Sequence, residues 1–152
     1  MMFDFFFNTE DTFPGLIVRL TIGCIMIAHG SQKLFGFFGG DGFKNTMYYF
    51  TDIMHVPYWL GLLVITTEFF GSLCLIFGLA TKFWAMGMIC LMSGILIVAN
   101  HVKIGFFMNW TGKQEGEGFE YHLLIIGLAV TLLFTGGGAF SADQILYECF
   151  KN

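Results

Sequence analysis

Apolar residues run along this chain in four long blocks, separated by glycine-rich or charged connections. Each block approaches the ~20 residues a helix needs to cross the ~30 Å hydrocarbon layer of a bilayer. The first covers about residues 14–37 and opens on Pro14, a residue suited to the first helical turn. The second covers about 57–79 and again opens on a proline, Pro57. The third, about 83–101, follows a turn of only Ala80, Thr81 and Lys82, so blocks two and three form an antiparallel hairpin. The fourth, about 120–135, stops at Gly136-Gly137-Gly138 and is short for a span. Phe119 and Tyr121 are therefore expected to anchor its start at the interface. The pattern predicts an all-α fold, an integral membrane four-helix bundle over 14–140. An interfacial segment, 1–13, with Phe3, Phe5, Phe6 and Phe7 at headgroup level, precedes it, and a polar tail, 141–152, follows.

Four crossings put both long polar connections, 36–55 and 102–118, on one face, here called side B. The termini and the Lys82 turn lie on the opposite face, side A. Side A carries Arg19, Lys82 and Lys151 and side B carries Lys33, Lys44, Lys103 and Lys113, a balance too even to orient the chain. Composition strengthens the membrane reading: 56% of residues are hydrophobic, 12% are charged, and 20 are Phe. Soluble domains carry roughly twice that charged share, ~25%. The net charge of −4 and the scattered basic residues exclude nucleic acid as a partner. Cys24, Cys74, Cys90 and Cys149 contain no C-x-x-C pair and read as small hydrophobes within or beside apolar runs. The acidic N-terminus lacks the positive region of a secretory signal.

Lipid should exclude charge, so the charged residues inside the blocks carry the most information. Glu68 lies near the centre of the second block, where a carboxylate costs at least ~2.5 kcal/mol and must face the bundle interior. Gly61, Glu68, Gly71, Leu75 and Gly78 share one helical stripe, and its glycines permit close helix approach. Arg19, Gly23, Met26, Gly30 and Lys33 form a matching stripe on the first block, with His29 beside it. An Arg19–Glu68 pair is expected. Its role is either to fix register or to leave Glu68 to handle a proton or polar ligand. At the side-B helix ends lie His29, Lys33, His101 and Glu120, with Glu120 expected inward on a stripe with Gly127 and Thr131, and His122 toward a neighbour or the surface. A metal site from His29, His101 and Glu120 lacks any H-x-x-x-H or E-x-x-H spacing, so none is predicted. The stretches GFFGGDGF and TGGGAF lack the strand-turn-helix context of a phosphate loop and read as turns.

The series Arg19-x-x-x-Gly23, His29-Gly30-x-x-Lys33-Leu34, Glu68-x-x-Gly71 with Gly78, and His101-x-x-x-Gly105-Phe106-Phe107-x-Asn109-Trp110 is ordered along the chain. It continues with Gly116-Glu117-Gly118-x-Glu120-Tyr121 and Ser141-x-Asp143. This series resembles the DoxX family of small bacterial membrane proteins over nearly the whole chain. The resemblance implies a place in the bacterial cytoplasmic (inner) membrane. It also implies an association with redox complexes, since the family takes its name from a membrane subunit linked to thiosulfate:quinone oxidoreduction. More distant relatives act as assembly chaperones, so the resemblance delivers no single activity.

Two functions follow as expectations. One is a subunit of a quinone-linked oxidoreductase complex, at most quinone-binding, with Arg19, His29, Lys33, Glu68, His101 and Glu120 as candidate site residues. No cofactor is predicted in the chain itself, quinone being the possible ligand, and no catalytic residue is assigned. The other is a structural or assembly subunit of a larger membrane complex with no chemistry of its own. Partners in either case are the bilayer and other membrane subunits. A lone transporter is disfavoured because no inverted repeat or broken helix is legible.

Overall fold

A computed structural model of the chain describes Phe7, Thr9 and residues 11–151. Among these residues every regular element is helical. Helix α1, Phe13–Phe35, starts with Pro14 in its first turn and stops at Gly36. Gly36 adopts φ 77°, and its N–H returns to the Gln32 carbonyl at 3.1 Å. That left-handed conformation favours glycine and satisfies a carbonyl the helix end would otherwise orphan. A short connection leads to α2, Gly42–Tyr48, which runs on into a π-helical turn, Tyr49–Ile53. Helix α3, Tyr58–Phe77, contains a second π turn at Thr67–Gly71 and ends at a left-handed Gly78. Then come α4, Thr81–Val98, the single-turn α5, His101–Ile104, α6, Glu120–Thr135, and α7, Ala142–Lys151.

The helices α1, α3 and α4 are long and apolar enough to cross a membrane, while α6 is apolar but has 16 residues. At ~1.5 Å per residue α6 is ~24 Å long. The third expected span is broken near its end: Asn100 at φ 59° separates α4 from α5, so His101 begins a new turn.

Helix α1 packs along α3, and α4 packs along α6, with α1 closing the bundle against α6. The α1 stripe meets α3 at Glu68, Phe69, Ser72 and Ile76, while Gly71 abuts Trp84 and Gly61 abuts Phe50 and Met47. Arg19, Gly23, Met26 and Gly30 are buried on α1, and Gly61, Glu68, Gly71, Leu75 and Gly78 are buried on α3 and at its end. A Cβ placed at Gly30 would lie 2.6 Å from the Phe69 nitrogen and 2.7 Å from the Glu68 carbonyl carbon. One at Gly23 would lie 3.0 Å from the Ser72 oxygen. The helices therefore touch backbone to backbone, which only glycine permits. Ile22, Met26, Leu75, Met88, Met92, Ile125 and Leu132 fill the core between them.

The phase of α6 is opposite to the expected one. His122, Ile125, Ala129 and Leu132 face inward, whereas Gly127 and Thr131 are exposed and Glu120 lies at the head of their stripe. Ile125, Ala129 and Leu132 pack into the core, while the outward face keeps Leu123, Leu124 and Phe134, so close packing and not hydrocarbon burial distinguishes the two faces in lipid. Two further expectations change in detail. The polar tail is a helix, α7, with Ser141 and Asp143 buried at its start. Cys24, Cys90 and Cys149 stand on the surface as free thiols and Cys74 is half-buried. The interfacial positions Phe3, Phe5 and Phe6 lie outside the described residues.

Candidate functional site

Two charge clusters occupy the bundle, one at each level, and the expected Arg19–Glu68 pair is not among them. On side A, Arg19 is buried and donates solely to backbone carbonyls in the contacts that define it. Nε donates to Gly137 O at 2.7 Å, and Nη1 donates to Leu75 O at 3.2 Å and to Ile76 O. Nη2 donates to Ala139 O at 3.2 Å and Phe140 O at 3.1 Å. The acceptors are the last turn of α3, where Leu75 O also takes the Gly78 N–H at 3.1 Å, and the glycine-rich turn before α7. Five fixed donors suit a guanidinium to this role in a way an ammonium cannot match.

Asp143 completes this cluster. Its carboxylate accepts the Ala80 N–H at 2.6 Å and the Thr81 N–H at 2.8 Å, capping α4, and its own N–H donates to Gly78 O at 2.9 Å. Burial pushes the Asp143 carboxyl above its ordinary pKa, opposed by the Thr81 and Ala80 donors and the Arg19 charge. Ser141 Oγ accepts the Gln144 N–H at 3.2 Å and caps α7. This cluster joins α1, α3, α4 and α7, and its groups are committed to structure.

The second cluster centres on Glu68. Lys33 Nζ lies 2.6 Å from Glu68 Oε2, with the lysine side chain 26% exposed and the glutamate 3%. The reason is local. Gly30 rests on the Glu68–Phe69 backbone, and Lys33 stands one turn further along the same face of α1. Glu68 sits within the π turn Thr67–Gly71, a distortion that re-aims side chains and often marks functional positions. His29 feels the charges of both Lys33 and Glu68, and Tyr121 feels that of Glu68.

From there a row of rings crosses to the other helix pair. His29 and Tyr121 have centroids 6.0 Å apart, Tyr121 and His122 5.8 Å, and His101 and His122 4.9 Å. The Tyr121 hydroxyl donates to Met26 Sδ at 3.3 Å. The Nδ1 atoms of His101 and His122 are buried with no hydrogen-bond partner among the described residues. An ion pair half open on its lysine side, a phenol and three imidazoles together offer hydrogen-bond donors and groups able to exchange protons.

The six sequence-chosen residues therefore divide. Lys33, Glu68, His29 and His101 belong to this cluster, while Arg19 belongs to side A. Glu120 is occupied elsewhere: its Oε1 accepts the Met108 N–H at 3.2 Å and the Trp110 indole N–H at 2.9 Å. Tyr121 and His122 were not among the six. The inward triad Ile125, Ala129 and Leu132 was the available signal for His122, since counting back by helical steps of three reaches it. Among the described residues no three His, Cys, Asp or Glu side chains converge as metal ligands.

A family model described as DoxX matches residues 15–101. The chain is 29% identical over 134 residues to "Inner membrane protein YqjF" of Escherichia coli (strain K12), an alignment covering 86% of this chain and 90% of that protein. It is 25% identical over 137 residues to "Putative oxidoreductase CatD" of Bacillus subtilis (strain 168), covering 90% of each. No solved structure matches significantly.

Proposed function

Because the chain belongs to the DoxX family and is an integral membrane protein, we propose that it is a subunit of a quinone-linked redox complex in the bacterial cytoplasmic (inner) membrane. The carrying observation is the Lys33–Glu68 pair on a π turn, beside the rings of His29 and Tyr121. A quinone presents two carbonyl oxygens, and Lys33 and His29 are donors at the partly open end of the pair. Reduction to the quinol takes up two electrons and two protons. The electrons come from a partner subunit, and Glu68 and the ring row are positioned to hand on protons. The relative whose printed name is "Putative oxidoreductase CatD" is in keeping with this reading. The test is titration of the protein in nanodiscs with ubiquinone and menaquinone, followed by intrinsic fluorescence. A saturable response is expected, weakened about tenfold or more in Glu68→Gln and His101→Ala, in line with losing a hydrogen bond to a charged group, ~1.5–3 kcal/mol. Absence of saturable binding for both quinones removes the reading.

A second role rests on a separate observation: Arg19, Asp143 and Glu120 are all consumed by contacts that hold the fold. In a structural or assembly subunit the whole polar interior serves this purpose. Its signature is a co-purifying complex that survives substitution of His29 and His101 and dissociates when exposed aromatics such as Trp59 are changed.

A further inference from the structure

The connection between α5 and α6 is an ordered, closed loop tied by its own hydrogen bonds, and its aromatic side chains stand exposed. Its ends are pinned together by Phe119 N–H to Gly105 O at 3.1 Å and Glu120 N–H to Phe106 O at 2.9 Å. Inside, the Asn109 side chain donates to Gln114 O at 3.1 Å and accepts the Gln114 N–H at 3.0 Å. Glu117 accepts the Asn109 N–H at 2.8 Å. Against this frame Phe106, Phe107 and Trp110 are exposed, Trp110 to 83%. An exposed indole usually swings free, but here Glu120 holds its N–H at 2.9 Å.

Glu120 fixes where that indole stands. It lines a surface groove with Leu123, Leu124, Gly127, Leu128 and Thr131, so it heads the outward stripe of α6, which is the stripe that faces lipid. Trp110 therefore stands at the top of the lipid-facing surface, continuous with Leu123 and Leu124. Two independent facts point the same way. Helix α6, at ~24 Å, falls ~6 Å short of the hydrocarbon layer, so its first turn is drawn down toward the apolar region. A carboxylate on a lipid-facing stripe needs its lone pairs satisfied there, and Met108 and Trp110 supply the donors.

We propose that the 105–119 loop is a membrane-interface element that lies on the bilayer over the start of α6. Phe106, Phe107 and Trp110 sit among the phospholipid headgroups and upper acyl chains, and the loop shields Glu120 from lipid. This is independent of any quinone site. The test uses the full chain in nanodiscs of phosphatidylcholine brominated near the headgroup, brominated at mid-chain, or unlabelled. Trp110 emission is taken as the difference between Trp59→Phe and Trp59→Phe/Trp110→Phe, which leaves Trp84 in its packed place. The expected result is blue-shifted Trp110 emission, lost mostly with the headgroup-proximal bromine. Phe107→Asp, which leaves both donors to the Glu120 carboxylate in place, should lessen that loss while leaving the helical circular dichroism unchanged. Emission indifferent to both bromolipids overturns the proposal. With acrylamide quenching the loop stands in water, and without it a protein partner or a second copy covers the loop.

Discussion

Lys33 and Glu68 meet a common demand, that a charge in the membrane be paired, at a place where the pair stays partly open. Breaking such a pair from one side strands the other charge, whereas removing both leaves an apolar site. In unfolding titrations in mild detergent, Lys33→Met should therefore destabilise by ~1–3 kcal/mol, tempered by the exposure of the lysine. Lys33→Met/Glu68→Gln should recover much of the loss. Additive losses in the double variant would show that the pair carries no coupling. The sequence identified both residues as buried-side charges but matched Glu68 to the wrong cation. Arg19 and Lys33 lie on one stripe at opposite sides of it, and helical periodicity alone gives face without axial offset. The offset comes from the Gly30 contact with the Glu68–Phe69 backbone, a matter of how far α1 slides along α3.

The stripes themselves were legible at the level of elements, because glycine at steps of three, four and seven has few uses in an apolar helix besides close approach. Gly30 is the sharpest case. Alanine there would place its Cβ against backbone, which cannot rotate away. Gly30→Ala should cost ~1–3 kcal/mol by overpacking, and Gly30→Val more, read as lower thermal unfolding temperatures in detergent. A Gly39→Ala control meets nothing within 4 Å, though its φ of 78° adds backbone strain; an unchanged midpoint in Gly30→Ala would contradict the close contact. The π turn at Thr67–Gly71 was not legible, since an inserted residue leaves no compositional mark and the buried stripe reads through it. The phase of α6 was misjudged for a different reason. Both faces of α6 are apolar, so Glu120 was the one charged cue to its rotation, and the loop that satisfies Glu120 lies outside the helix.

The composition fixes the molecule as a membrane bundle, and three helices have the length to cross. If α6 crosses as well, the number of spans is even, and Thr111 and Lys44 lie on one face with Cys149 on the other. Cysteines introduced at Thr111 and Lys44 should react with a membrane-impermeant maleimide from the same side of oriented vesicles, and native Cys149 from the opposite side. Labelling of Cys149 together with Thr111→Cys would mean that α6 does not cross.

Arg19 adds a consequence in time. Three of its carbonyl acceptors, on Gly137, Ala139 and Phe140, are made more than a hundred residues after it. At ~5–20 residues per second of synthesis, α1 waits on the order of ten seconds before those partners exist. During that interval the nascent protein carries a guanidinium whose only native acceptors are on α3. Until residues 137–140 are made, Arg19 can donate only to Leu75 and Ile76, so the side-A end of the bundle completes its native contacts only once the segment after α6 has been synthesised.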